Sequence, residues 1–136
     1  MKSPSKKKSQ SSKIPVENAI TWFEIPASSF ERAVKFYNEI FEMDMETNTM
    51  GGYSMAFFPV SSGISGAIIK GEGSIPSDTG PLLYLNAGED LEHIQDRIQD
   101  AGGRVLMAKQ LINEESGYFA LFIDSEGNKL ALHSNS

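Results

Sequence analysis

Two stretches of this chain, half a chain apart, are built alike. Gly117 to Ser134 reads GYFALFIDSEGNKLALHS, in which the apolar runs Tyr118–Ile123 and Leu130–Leu132 flank Asp124-Ser125-Glu126-Gly127-Asn128. That is a β-hairpin closed by a short polar turn, with a glycine where positive φ costs least. Gly51 to Ile69, GGYSMAFFPVSSGISGAII, repeats the pattern. Gly52-Tyr53 aligns with Gly117-Tyr118 at an offset of 65, and Gly63 and Ala67 align with Gly127 and Ala131 at 64. A hairpin occurring twice at one offset marks a duplicated unit, so the whole chain is read as two copies.

The first copy opens with AITWFEIP, residues 19–26, a strand ended by Pro26. Ser28 is expected to cap a helix over 29–41, with Glu31 completing a capping box. Phe30, Ala33, Val34, Tyr37, Ile40 and Phe41 recur at helical spacing, while Glu31, Arg32, Lys35, Glu39 and Glu42 look outward. Met43–Thr47 reads as a strand, Asn48 to Gly52 as a turn, and Tyr53–Phe58 with Gly66–Lys70 as the first hairpin. The order is βαβββ. Gly71 to Pro81, with three Gly and two Pro in eleven residues, is a linker.

Leu82–Ala87 begins the second copy. Asp90 caps a helix over 90–101 with Leu91, Ile94, Ile98 and Ala101 on its buried stripe, and Gly102-Gly103 ends it as an αL cap. Arg104–Met107 is a strand, 108–116 a loop, and the last hairpin closes the copy. The expected organisation is a basic disordered tail over 1–17 and one domain over 18–136. Its modules span 18–70 and 82–134, joined by the linker 71–81.

The chain of 136 residues, 40% apolar, supports one domain and not two. No apolar run is long enough to span a membrane and none near the start reads as a signal peptide, so no membrane partner is expected. The absence of cysteine excludes disulfides and thiolate chemistry and fits a cytoplasmic protein. Charge is uneven. Lys2, Lys6, Lys7, Lys8 and Lys13 stand against Glu17 alone in the tail, leaving 7 basic and 17 acidic residues for the rest. An acidic body repels phosphate backbones, so no nucleic acid is expected on it.

Strand parity sorts the side chains into two faces. Leu83, Leu85 and Ala87 are uniformly apolar and belong under the helix, which turns Leu82, Tyr84 and Asn86 to the other face. On the first strand Ile20, Trp22 and Glu24 repeat the order aliphatic, aromatic, polar. On the last, Leu130 and Leu132 go to the helix and Ala131 and His133 away from it. The helix-free faces then curl into a cup with apolar walls and a few polar groups, the make-up of a small-molecule pocket.

Paired βαβββ units, FEIP followed by ERAVKFYNEIF, AGGRVL after the second helix and a terminal DSEGNKLALHS hairpin resemble the glyoxalase/bleomycin-resistance/extradiol-dioxygenase superfamily, also called vicinal oxygen chelate proteins. The resemblance covers residues 18–134. It implies an α+β fold, a cupped eight-stranded mixed sheet with helices on its outer face, a ligand held in the cup and a homodimer. It also implies that Leu121, three residues before the Asp of the terminal turn, lines the cavity with Phe119 on the same parity. Metal-dependent relatives such as lactoylglutathione lyases hold a divalent ion with His or Glu at one position on each of four strands. Those positions match Ile20, about Ala67, Leu82 and Ala131, none of which has a donor atom. A slip of one residue substitutes Thr21 or Leu83 and does not restore the set. No metal or other cofactor is therefore expected.

Glu24 and His133 are the ionisable residues that parity turns into the cup. A carboxylate orienting an imidazole makes a workable acid/base pair. The alternatives are ligand contact without chemistry, or a partly exposed strand histidine with Glu24 solvated at the rim. Trp22 and Tyr84 either stack on a flat ligand or fill a small core. His93 lies off its helix's apolar stripe and reads as surface, and no glycine-rich segment has the strand-to-helix context of a phosphate loop. Two functional classes stay open. One is a metal-free binding protein for a partly apolar small molecule, with Trp22, Glu24, Tyr84, Asn86, Phe119, Leu121 and His133 in contact with it. The other is a lyase or isomerase using Glu24 and His133, or an atypical metal site.

Overall fold

A computed structural model describes residues 16–136. All of the basic tail except Val16 and Glu17 lies outside the described residues. The elements run β1 (Trp22–Pro26), α1 (Phe30–Phe41), β2 (Glu46–Met50), β3 (Tyr53–Phe57), β4 (Ser65–Lys70), β5 (Tyr84–Asn86), α2 (Glu92–Ala101), β6 (Arg104–Asn113), β7 (Gly117–Ile123) and β8 (Lys129–Ser134). Two βαβββ units result, and each forms a four-stranded sheet of the same topology, β1-β4-β3-β2 and β5-β8-β7-β6. In both, the first strand pairs in parallel with the last and the remaining pairs are antiparallel. The eight strands are thus divided between two hydrogen-bonded sheets. Among the described residues, β1 and β5 each keep one edge unpaired.

One core serves both modules. The helical spacing of Ala33, Phe36, Tyr37 and Ile40 puts them on one face of α1, and Ile94 and Ile98 do the same for α2. They bury against Ile25, Ile68, Leu85, Phe122 and Leu132, the helix-facing side chains of five strands. Phe36 of the first module stacks on Phe122 of the second, with ring centres 6.3 Å apart, and meets Tyr37 edge-on at 4.9 Å. No helix among the described residues is long and apolar enough to cross a membrane.

The two glycines after α2 do different work. Gly102 takes φ +110°, the left-handed cap expected of it. Gly103 is held to glycine by its neighbours: a Cβ there would lie 2.6 Å from the Ile123 carbonyl oxygen and 2.7 Å from the Phe36 ring. At the start of α1 the cap is Ser29, whose Oγ accepts from the Arg32 amide at 3.4 Å, and not Ser28. Glu31 completes no box. The amides of Ser28 and Ser29 donate instead to Glu126 Oε1, at 2.9 and 2.7 Å, from the far end of the chain. Asp90 accepts from the Glu92 amide at 3.0 Å, but the residue at the boundary of α2 is Leu91.

Several strands differ from expectation. β1 and β5 are shorter than 19–26 and 82–87, and β2 lies three residues later than Met43–Thr47, so the turn before β3 contracts to Gly51-Gly52. β6 runs on through most of 108–116. Register shifts between Val105/Met107, Met107/Gln110 and Leu111/Asn113 break its alternation and hide it from a period-two reading. The ladders also correct the alignment of the copies. Ala67 and Ala131 are equivalent, as expected, since they lie opposite Phe57 and Leu121. But Ser54, not Tyr53, is the counterpart of Tyr118. On the parallel side Glu24 faces Ala67 as Tyr84 faces Ala131. Trp22 is therefore the counterpart of Leu82, and the pairings of Ile20 with Leu82, Trp22 with Tyr84 and Glu24 with Asn86 do not hold.

Candidate functional site

The helix-free faces carry the aromatic groups that parity turned toward them. Phe23 and Ile25 pack inward, so Trp22 and Glu24 project from the opposite side of β1. Trp22 keeps 42% of its surface exposed and its ring lies 6.2 Å from that of Phe57. On the second sheet Tyr84 is 53% exposed with its ring 6.2 Å from Phe119, and Leu121 lies opposite the fully buried Ala131. Ala67 and Ala131, at equivalent places in the two sheets, are both fully buried.

A cavity of about 360 Å³ opens along the unpaired edge of β1. Ile20, Trp22, Glu24 and Pro26 form one wall, Ile75, Ser77 and Pro81 of the linker another, and Leu83, Leu130 and Lys129 close it from the second module. Trp22 and Glu24 are the members of the expected ligand set that line it. Tyr84, Asn86, Phe119, Leu121 and His133 lie on the second sheet, outside that lining.

One corner of the cavity is fastened by the turn between β7 and β8. Asp124 is buried, and its carboxylate accepts from the Tyr37 hydroxyl at 2.7 Å, Asn128 Nδ2 at 3.0 Å, and the amides of Glu126 and Asn128 at 2.8 and 2.9 Å. Asn128 Nδ2 also donates to the Pro26 carbonyl at 2.7 Å, and its Oδ1 accepts from the Ser77 amide at 2.9 Å. One side chain thus holds the end of β1 and the linker, two walls of the cavity. Glu126, with its side chain wholly covered, receives Arg32 Nε at 2.7 Å and the Ser125 hydroxyl at 2.9 Å besides the two helix amides. Burial pushes the Glu126 carboxyl up, but the hydrogen bonds from Arg32, Ser29 and Ser125 outweigh it and hold the group below its ordinary value. For Tyr37, burial first and the Asp124 charge second drive the phenol well above its usual range, so it stays a proton donor.

Glu24 and His133 do not form a pair. His133 Nε2 donates to the Ser116 carbonyl at 2.6 Å, which fixes the tautomer and ties the ring to the β6–β7 turn. Glu24 is on the other sheet, and among the described residues no hydrogen bond or ion pair joins the two.

A model of the glyoxalase/bleomycin resistance protein/dioxygenase superfamily matches residues 19–132. The chain belongs to that superfamily. A glyoxylase-like domain-containing protein from Didymella fabae is 30% identical over 119 residues, covering 83% of this chain and 91% of that protein. Among solved structures, a superfamily domain from Frankia superposes with a TM-score of 0.68 at 15% identity, covering 89% of this chain and 100% of that one. An antibiotic-binding protein from a Streptomyces gives 0.63 at 23%, covering 90% and 100%. Glyoxalase I from Zea mays gives 0.65 at 18%, covering 84% of this chain but only 43% of the enzyme, so the chain spans less than half of its length. At these identities the structural likeness shows the superfamily fold.

The resemblance implies metal positions at Ile20, about Ala67, Leu82 and Ala131. The ladder register makes Trp22, not Ile20, the counterpart of Leu82, so the set to weigh is Trp22, Ala67, Leu82 and Ala131. An indole nitrogen carries a proton and no free lone pair, and the other three are hydrocarbon. These residues do not fit a divalent ion. Among the described residues, no group of three or more His, Cys, Asp and Glu is close enough to hold one elsewhere.

In the sequence Tyr37 stands on the apolar face of the first helix, Arg32 on its outward face and DSEGN in the last turn, with nothing read as joining them. A signal was available: a tyrosine on a buried helical stripe needs an acceptor, and a turn carboxylate with no local partner is a candidate for it. The linker wall at Ile75, Ser77 and Pro81 had no such signal.

Proposed function

We propose that this superfamily member is a metal-free binding protein for a small, partly apolar molecule. The observation that carries this is the cavity of about 360 Å³ beside Trp22, mostly apolar in its lining, with Glu24, Ser77, Asn128 and Lys129 as its polar members. Trp22 stacks on the bound molecule and Glu24 orients it. Tyr84, Asn86, Phe119, Leu121 and His133 provide the adjoining face over which a larger ligand extends. Two features support the binding reading over the lyase or isomerase one: no donor set at the four metal positions, and an imidazole occupied by a backbone carbonyl. The similar Streptomyces protein is described as antibiotic-binding, which agrees with such a use of the fold.

Trp22 is the single tryptophan, so its emission reports occupancy directly. Titration with a panel of apolar and aromatic compounds is expected to shift or quench it. Trp22→Ala, measured by calorimetry because the reporter is gone, is expected to weaken the best compound by about 1–3 kcal/mol. No response from any compound rejects the proposal. A homodimer in the cytoplasm is proposed with it, the pairing supported by Leu106, Leu111 and Ile112 exposed on the outermost strand β6. Light scattering at tens of micromolar is expected to give twice the chain mass, and a monomer removes the dimer.

A further inference from the structure

The edge of β1 has its own chemistry. In a parallel ladder the main-chain groups of alternate residues point to opposite sides of the strand. The Ala27 amide donates to the Ile69 carbonyl at 2.9 Å, so Phe23 and Ile25, in step with it, also turn their N–H and C=O toward β4. Trp22, Glu24 and Pro26 turn theirs away from β4. Pro26 agrees on both counts. Its carbonyl accepts from Asn128 of the second module at 2.7 Å, and its missing N–H falls on the side where no ladder bond is made.

That outward edge borders the cavity, whose wall includes Trp22, Glu24 and Pro26 together. The Pro26 carbonyl is taken by Asn128. Among the described residues the N–H and C=O of Trp22 and of Glu24 have no partner, since β1 pairs with β4 alone. They stand two residues apart, about 6.6–6.8 Å along the strand. Beside them Ile20, Ile75, Leu83 and Leu130 make the surroundings apolar. An exposed strand edge with free N–H and C=O groups, flanked by apolar side chains, can take an amide as an added strand.

We propose that the cavity selects ligands carrying a secondary amide in extended form, a short peptide or a peptide-like compound, laid along β1 as one added strand residue. The ligand's C=O takes the Glu24 N–H, its N–H gives to a β1 carbonyl, and its apolar side chain fills the wall opposite Trp22. This rests on the small-molecule reading above and names the ligand class.

The test compares N-acetyl-leucine N′-methylamide with its diester isostere, methyl 2-acetoxy-4-methylpentanoate, which keeps the shape and loses both N–H groups. Trp22 emission is the readout. The amide is expected to bind about tenfold more tightly or better, the worth of one to two hydrogen bonds. Glu24→Pro deletes one edge donor and leaves the bonds to β4 in place. It is expected to weaken the amide about tenfold relative to Glu24→Ala, which keeps that donor and lacks the same carboxylate. Should Glu24→Pro fail to fold, the amide-to-ester ratio on the unmodified chain decides alone. Equal affinity for amide and ester, or an amide that does not bind while non-amide apolar compounds do, overturns the amide class and leaves the binding function standing. Silence from every compound overturns both.

Discussion

The turn between β7 and β8 and the turn between β3 and β4 occupy the same place in the two modules, and their surroundings are opposite. The offset of 64 that relates Ala67 to Ala131 sets Val60 against Asp124, Ser62 against Glu126 and Ile64 against Asn128. Asp124, Glu126 and Asn128 reach into the first module and hold Tyr37, Arg32, the start of α1, the end of β1 and the linker. Val60 and Ile64 are 51% and 36% exposed and grip nothing comparable. Nor does α2, reading EHIQDRIQDA, have a hydroxyl that could answer a carboxylate. A duplicated backbone thus carries a polar fastening at one end only. The difference shows that the repeat sets topology, while the side chains decide which end of the molecule is fixed.

The largest expected effect tests that asymmetry. Asp124→Ala strands the Tyr37 hydroxyl, the Asn128 amide and two main-chain N–H groups in a buried site, and should cost about 3–5 kcal/mol in urea unfolding. Val60→Ala, at the matching position, should stay within about 0.5 kcal/mol. Similar losses from the two would erase the distinction between the turns.

A smaller effect carries a pH signature. Glu126→Gln loses the Arg32 pairing and weakens the cap on α1, at about 1–2 kcal/mol near neutrality. Because the folded Glu126 carboxyl lies below its ordinary value, its contribution is complete above the unfolded pKa of about 4.3. It is lost as pH falls through the lower folded value. The gap between the two proteins should therefore be flat from neutrality to about pH 4.3 and close below it. A gap that instead widens on acidification contradicts the assigned direction.

The smallest effect is a control on distance alone. Lys35 and Glu39 meet at 2.7 Å, the same length as Arg32 to Glu126, but both are solvated. Lys35→Ala should cost less than about 0.5 kcal/mol and respond to salt. A cost equal to that of Glu126→Gln would mean that coverage of the acceptor contributes nothing.

Periodicity made much of the core of this fold legible, because Tyr37, Ile40, Ile98 and Leu132 sit where a repeat of 3.6 or 2 puts them. It failed where that signal is absent. Glu46–Met50 is exposed on both faces and shows no apolar alternation, so β2 was displaced. Bulges interrupted β6. The expected cap Ser28 gave way to Ser29, and the amides of both serines are taken by a carboxylate almost a hundred residues away. The alignment of Tyr53 with Tyr118 followed a shared Gly-Tyr pair, whereas strand pairing obeys the ladder. Parity located Trp22 and Glu24 on the open face, but it distinguishes faces and is blind to edges. The cavity lies along an edge, walled by a linker that has no period at all.

The bond from Tyr37 to Asp124 spans 87 residues, and that from Ser28 to Glu126 spans 98. A ribosome adds about 5–20 residues per second, so the first module waits roughly 4–17 seconds for the turn that caps its helix and engages its buried phenol. Throughout that interval the Ser28 and Ser29 amides lack their Glu126 acceptor and Phe36 has no Phe122 to cover it. The nascent chain therefore presents its most apolar helix, half-assembled, until the turn between β7 and β8 has been translated.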